Sequence, residues 1–136
     1  MAKDEKFDLI RSVPLFSHCD EEGVEALARA ADLIEVPAGM EIVTQGKHSN
    51  DFVVIAEGAV EVTRDGEAVD TMASGDFFGE IALLTGAARN ATVTATAPST
   101  LLVLTDRAFH QVAEKLPTVQ TSVLKALAAR LHPETV

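Results

Sequence analysis

The amino-acid sequence predicts an α+β domain, in which an antiparallel β-barrel or sandwich is flanked by N-terminal and C-terminal helices. Two observations carry this reading. Between residues 35 and 105, short β-branched and apolar runs are punctuated by turn residues about every eight to twelve positions, the pattern of an all-β sandwich or barrel. On either side, apolar residues recur at spacings of three and four, the mark of a helix with one buried face.

Residues 4–34 read as the N-terminal helical segment. Asp8 to Val13 form a short amphipathic turn that Pro14 interrupts. Asp20 is placed as an N-cap, with Glu21 and Glu22 at the positive end of the helix dipole. Val24, Leu27, Ala28 and Ala31 then share one face.

The barrel follows over residues 35–105. Ile34, Val36 and Ile42-Val43 are short β-branched pieces, separated by Pro37-Ala38-Gly39 and closed by Gln45-Gly46-Lys47. Phe52 to Ala56 is a continuous apolar strand ended by Glu57-Gly58. Val60 to Thr63 alternates, and Asp65-Gly66 before Ala68-Val69 is a strong hairpin signal. Ala91 to Ala97 alternates small apolar residues with Thr, and Pro98-Ser99 turns the chain into Leu101 to Leu104. Residues 106–132 return to helix. Asp106 caps a segment carrying Ala108, Phe109, Val112 and Leu116, and Pro117 ends it and opens the next. Val119, Val123, Leu124, Leu127 and Leu131 are expected on one face of that last helix, with Pro133 ending it. No repeat or long linker interrupts the chain, so residues 1–136 are read as one domain.

Composition narrows the function. The 136 residues are 47% hydrophobic and 24% charged, ordinary for a globular chain and enough to bury roughly two-thirds of the unfolded surface. The net charge is −10, which argues against a basic nucleic-acid surface and against polybasic attraction to anionic lipid. The single Cys19 excludes an internal disulfide and a cysteine-based zinc site. His18, His48, His110 and His132 stand alone, without the spacing of a metal site, which opposes a cupin-type enzyme. No nucleophilic triad is legible, so no catalytic residue and no cofactor are expected. No apolar run approaches the ~20 residues of a membrane span, and the mixed-charge N-terminus carries no secretory signal. A cytoplasmic location is expected by default.

The informative stretch is Gly75 to Val93. It lies between strands, yet Glu80 to Leu84 are helix formers, so a short helix is inserted there. Gly79 just before it allows a ligand close to the backbone, and the first helical N–H groups favour an anion. Arg89 is the one Lys or Arg between Arg64 and Arg107, and from Phe16 to Thr85 fifteen acids face three basic residues. A planar guanidinium in that setting suits two phosphate oxygens. The Glu80 carboxylate accepts hydrogen bonds only, which suits a sugar hydroxyl.

Phe78-Gly79-Glu80-Ile81-Ala82-Leu83, followed by Arg89-Asn90-Ala91-Thr92-Val93, resembles the phosphate-binding cassette of cyclic nucleotide-binding domains. These are domains of the catabolite activator protein and protein kinase A regulatory subunit type. Val13 to Ser17, Ala38 to Gly46, and Asp51-Phe52 through Gly58-Ala59-Val60 look like further signatures of that family, so the resemblance spans residues 7–131. It implies an antiparallel jelly-roll β-barrel flanked by N-terminal and C-terminal helices. It further implies that Arg89 neutralises a cyclic phosphate and Glu80 takes the ribose 2′-hydroxyl. Backbone groups of Gly79, Ile81 and Ala82 would line phosphate and ribose, Asn90 and Ala91 would flank the phosphate, and Val62, Val69 and Met72 would pack on the purine. The implied ligand is a cyclic mononucleotide, cAMP first and cGMP second, and its binding would reposition the C-terminal helices around Pro117.

Asn90 departs from the family, which often has Thr, Ser or Ala there, and this leaves the base preference open. A single Arg suits one phosphate better than the two of cyclic di-GMP. Relatives of the catabolite activator carry a DNA-binding helix-turn-helix after the last helix, and only five residues follow Leu131, so this chain alone is not expected to bind nucleic acid. The Met1 start and the Pro133 stop point to a complete small protein, the alternative being an excised regulatory domain. The rival reading is a ligand-free interaction module that uses the C-terminal helix as a homodimer or effector face.

Overall fold

The computed structural model describes residues 2–128. The chain forms two compact units. One is made of strands, residues 31–106, and the other of helices, within residues 2–30 and 107–128.

The strand unit holds eight strands: β1 (Asp32–Val36), β2 (Glu41–Val43), β3 (Phe52–Glu57), β4 (Ala59–Arg64), β5 (Glu67–Ala73), β6 (Phe77–Phe78), β7 (Thr92–Ala95) and β8 (Ser99–Leu104). They pair into two antiparallel four-stranded sheets, in the orders β1-β8-β3-β6 and β2-β7-β4-β5. Val36, Val53, Ile55 and Leu101 from the first sheet meet Val43, Val60, Val62, Val93 and Ala95 from the second in one buried cluster. This is the two-sheet sandwich that the turn spacing predicts, in the jelly-roll form that the resemblance implies. The alternation of β7 is read out directly, with Val93 and Ala95 buried and Thr92 and Thr94 partly exposed. The unbroken apolar run of β3 is buried on both faces from Phe52 to Ala56.

The β4–β5 hairpin turns at Asp65-Gly66, where both residues have positive φ, 55° and 82°. Two left-handed residues in succession match the twist of the flanking strands, which is why Asp-Gly serves there. Gln45 ties this turn down: its Nε2 donates to Asp65 Oδ1 at 2.9 Å, and its Oε1 accepts from Asp65 N at 2.9 Å.

The helical unit contains α1 (Ala2–Ser12), a 3₁₀ turn at Pro14–Phe16, α2 (Glu21–Ala30), α4 (Asp106–Lys115) and α5 (Pro117–Ala128). The short helix α3 (Glu80–Thr85) belongs to the strand unit. Asp20 is the expected cap of α2, its Oδ1 accepting from Gly23 N at 2.8 Å. Pro117 opens α5 where its missing N–H costs nothing.

Four expectations change. The first helix runs from Ala2 to Ser12 rather than as a short turn from Asp8, and Pro14 then starts the 3₁₀ turn. The N-terminal helical segment ends at Ala30 rather than at 34, because Asp32 to Val36 pair with Val103 to Ser99 of β8. Phe77–Phe78 form a two-residue strand against Val54 and Val53, a pairing too short to leave a period. On α5 the buried positions are Val119, Ser122 and Val123, while Leu124 is 68% exposed. The face is set by the 100° step per residue, which carries Leu124 past the seam that Ser122 occupies. The side chain of Leu127, and Leu131 and Pro133, lie outside the described residues.

Ser122 sits at that seam because it satisfies two backbone groups. Its Oγ donates to the carbonyl of Leu15 and accepts from His18 N, both at 3.1 Å. Phe16 and Phe109 pack beside them with ring centroids 6.2 Å apart.

Candidate functional site

All ten residues singled out in the sequence line one cavity of about 440 Å³ in the strand unit. Val62 comes from β4, Val69 and Met72 from β5, and Gly79, Glu80, Ile81 and Ala82 from the start of α3. Arg89, Asn90 and Ala91 come from the segment that leads into β7. The volume is within the range of small-molecule sites, about 300–1,000 Å³.

Gly79 makes the turn into α3. Its φ of 96° and ψ of 5° are left-handed, a region that a residue with a Cβ adopts only under strain. The helix closes with Leu83 N on Gly79 O at 2.9 Å and ends on Gly86, again left-handed, whose N–H donates to Ala82 O at 2.8 Å. Ala82 and Leu83 are its buried side, and Ile81 projects outward at 61% exposure while still lining the cavity. Glu80 is half-buried, with Oε2 fully enclosed.

Arg89 is 7% exposed, although it follows a loop. Its backbone is clamped on both sides: its N–H donates to Lys47 O at 2.9 Å, and its carbonyl accepts from Gly46 N at 2.8 Å. Its guanidinium Nη2 donates to the carbonyl of Asp51 at 2.6 Å and approaches Ser49 Oγ at 3.4 Å. Its Nε is enclosed and has no hydrogen-bond partner among the described residues. Among the described residues no carboxylate lies within ion-pair distance of it. Burial lowers its pKa from the usual arginine value, an effect the Asp51 charge partly offsets. Arginine nevertheless stays protonated at neutral pH, so the cavity holds a fixed cation with unused donor capacity. An anion with several acceptor oxygens is the natural complement.

The opposite wall is apolar, formed by Val43, Val62, Val69, Met72 and Val93. The β4–β5 pairing slips by one residue here: Val62 faces Asp70 and Thr63 faces Ala68, so Val69 is the extra residue of a bulge. Strict alternation would place Val69 on the other face from Met72. The bulge is what brings both into the cavity.

Val43, Arg64, Asp70, Phe78, Ala88 and Val93 also line the cavity and were not among the ten residues that the sequence singled out. Arg64 Nε donates to the carbonyl of Asn90 at 3.0 Å and so fixes the Arg89-Asn90 segment. Phe78 stands inside the quoted motif, but nothing local marks its side chain as a wall. Asp70 shares the face of Met72 by plain alternation, but only its pairing with Val62 puts that face on the cavity, and no local signal announces the pairing.

No group of His, Cys, Asp and Glu side chains among the described residues could hold a metal ion. No helix among them is long and apolar enough to cross a membrane.

Residues 33–115 match the family model described as the cyclic nucleotide-binding domain. The chain is 36% identical over 98 residues to a cAMP-dependent protein kinase regulatory subunit of Yarrowia lipolytica, covering 72% of this chain and 26% of that protein. The N-terminal domain of a transcriptional regulator from Streptomyces coelicolor superposes with a TM-score of 0.84 at 28% identity, over 91% of this chain and 92% of that one. The catabolite activator protein of Thermus thermophilus does so with a TM-score of 0.74 at 27% identity, over 88% of this chain and 58% of that one. The chain spans between 21% and 35% of the length of the curated relatives it matches. With the motif, the two sheets and the cavity in agreement with these matches, the chain belongs to the cyclic nucleotide-binding domain family.

Proposed function

We propose that this chain is a regulatory sensor that binds a cyclic mononucleotide, cAMP before cGMP, in the cavity between α3 and the β4–β5 wall. The observation that carries the reading is Arg89, a buried cation whose Nε is unpaired, lining a cavity that also presents a carboxylate and an apolar wall. Phosphate, ribose and purine call for those three chemistries in one place. The regulatory subunit it resembles is described as cAMP-dependent, which supports cAMP as the first ligand to test.

In this reading Arg89 neutralises the cyclic phosphate, helped by backbone groups of Gly79, Ile81 and Ala82, with Asn90 and Ala91 beside it. Glu80 accepts the ribose 2′-hydroxyl, and Val62, Val69 and Met72 pack on the base. The whole chain works as one domain in the cytoplasm and catalyses no reaction. Its output is a shift in the population of the C-terminal helices, with Pro117 as the break between α4 and α5. In this reading α5, which carries the exposed Leu124, would serve as a homodimer or effector face. The ligand moves the equilibrium only by its affinity difference between the two states.

Calorimetric titration with cAMP and cGMP, for the wild type and for Arg89→Ala, tests the site. The expected result is binding by the wild type and a loss of at least tenfold to a hundredfold in the variant, since each hydrogen bond to a charged group is worth about 1.5–3 kcal/mol. Equal binding by both proteins would overturn the phosphate assignment. Absence of binding by the wild type would favour the interaction-module reading. Comparison of NMR spectra with and without ligand tests the switch, and unmoved signals from α5 would reject it.

A further inference from the structure

We infer that Asp70 reads the base, accepting a hydrogen bond from the exocyclic amino group of the bound nucleotide, an inference that rests on the cyclic-nucleotide reading above. Four charged side chains line the cavity: Arg64, Asp70, Glu80 and Arg89. Arg89 and Glu80 serve phosphate and ribose in that reading, and Arg64 Nε is spent on the carbonyl of Asn90. Asp70 is left, and its place is unusual. It stands on β5 directly across from the buried Val62 and two residues from Met72, so it shares their face of the sheet. The bulge adds Val69 to the same wall. An acid thus occupies the middle of the surface on which a flat apolar ring would lie.

The carboxylate is held and yet open. Oδ1 accepts the N–H of Thr71 at 2.8 Å, which fixes its orientation. Among the described residues Oδ2 has no hydrogen bond and Asp70 has no ion pair. An ionised carboxylate has no proton to give, so its partner must be a donor. Stacking on Val62, Val69 and Met72 uses the face of a base and leaves its edge free. Adenine carries one donor group on that edge, the 6-amino group. A carbonyl at the same place would set two acceptors against each other, and guanine would meet Asp70 only by turning its N1–H and 2-amino donors to it. The site therefore selects an amino-bearing base, and it does so without contributing to the phosphate contact.

The test is calorimetry with cAMP and with purine riboside 3′,5′-cyclic monophosphate, which lacks only the amino group, for wild type, Asp70→Ala and Arg89→Ala. Asp70 is exposed on an edge strand, so its replacement leaves the core untouched, and a thermal melt checks this. The wild type is expected to prefer cAMP by about tenfold, the effect of one hydrogen bond to a charged group. Asp70→Ala is expected to bind both within about twofold. Arg89→Ala is expected to weaken both together and keep the ratio. A wild type that treats the two alike, or an Asp70→Ala protein that keeps the wild-type ratio, overturns the role of Asp70 and leaves the phosphate site standing. Failure of the wild type to bind either nucleotide overturns both.

Discussion

A Cβ placed on Gly79 would lie 2.6 Å from Nη1 of Arg89 and 2.5 Å from the carbonyl oxygen of Asp51. The glycine is thus the floor on which the buried guanidinium rests, and its left-handed φ of 96° makes the turn into α3 at the same point. Gly79→Ala sets a methyl against both neighbours and strains the backbone by about 1 kcal/mol or more. Arg89 must move or the turn must open. We expect cAMP affinity to fall at least tenfold, with a lower thermal midpoint, and calorimetry beside a melt would separate the two effects. Wild-type affinity in the variant would mean that Arg89 does not need its present position.

Arg89→Lys asks whether the site uses a charge or a shape. Lysine keeps the positive charge but not the planar fork, and it cannot donate to Asp51 O and to a ligand with the same geometry. The expected affinity lies between wild type and Arg89→Ala, nearer to the latter. Full recovery by lysine would show that charge alone suffices.

Ser122→Ala tests the helical unit independently of any ligand. Ser122 has no solvent exposure, and its hydroxyl serves both Leu15 O and His18 N. Its removal leaves the buried Leu15 carbonyl and the part-buried His18 N–H without that partner, at a cost of about 1–3 kcal/mol for a buried group left unsatisfied. Denaturant melts should show a loss in that range, and a change under 0.5 kcal/mol, about the size of an ordinary surface substitution, would contradict it.

Cys19 predicts a pH effect of defined sign. Burial raises its thiol above the usual 9.0, the Asp20 charge adds to this, and Ser122 and Arg11 oppose it. The folded protein therefore holds the proton more tightly than the unfolded chain. Its contribution is fully present below pH 9 and is lost as the pH rises from there through the folded value. The thermal midpoint should decline above pH 9, and Cys19→Ala should remove part of that decline. A thiol reagent at pH 8 should react slowly until denaturant is added, and rapid labelling of the native protein would refute the burial.

Much of this was legible in the chain. Helices and strands follow from periods of 3.6 and 2, the Asp65-Gly66 hairpin from the need for positive φ, and the cap at Asp20 from its side-chain oxygen. The stretch from Phe78 to Val93 holds seven of the ten cavity residues singled out in the sequence, because residues close together in the chain leave a contiguous motif, whereas Val62, Val69 and Met72 came only from the family resemblance.

What the sequence determined, then, is whatever neighbouring residues settle between themselves: element type, turn position and the identity of Gly79, Glu80 and Arg89 as a group. The tertiary structure decided the rest. Arg89 is buried because Gly46, Lys47, Ser49 and Asp51, some forty residues earlier in the chain, close around it. Val69 enters the cavity beside Asp70 and Met72 because β4 and β5 slip by one residue. Leu124 faces outward because Ser122 finds Leu15 and His18 more than a hundred residues away. Each of these depends on which distant backbone group arrives as a partner, and such pairing is a property of the folded whole, with no period or local propensity to announce it.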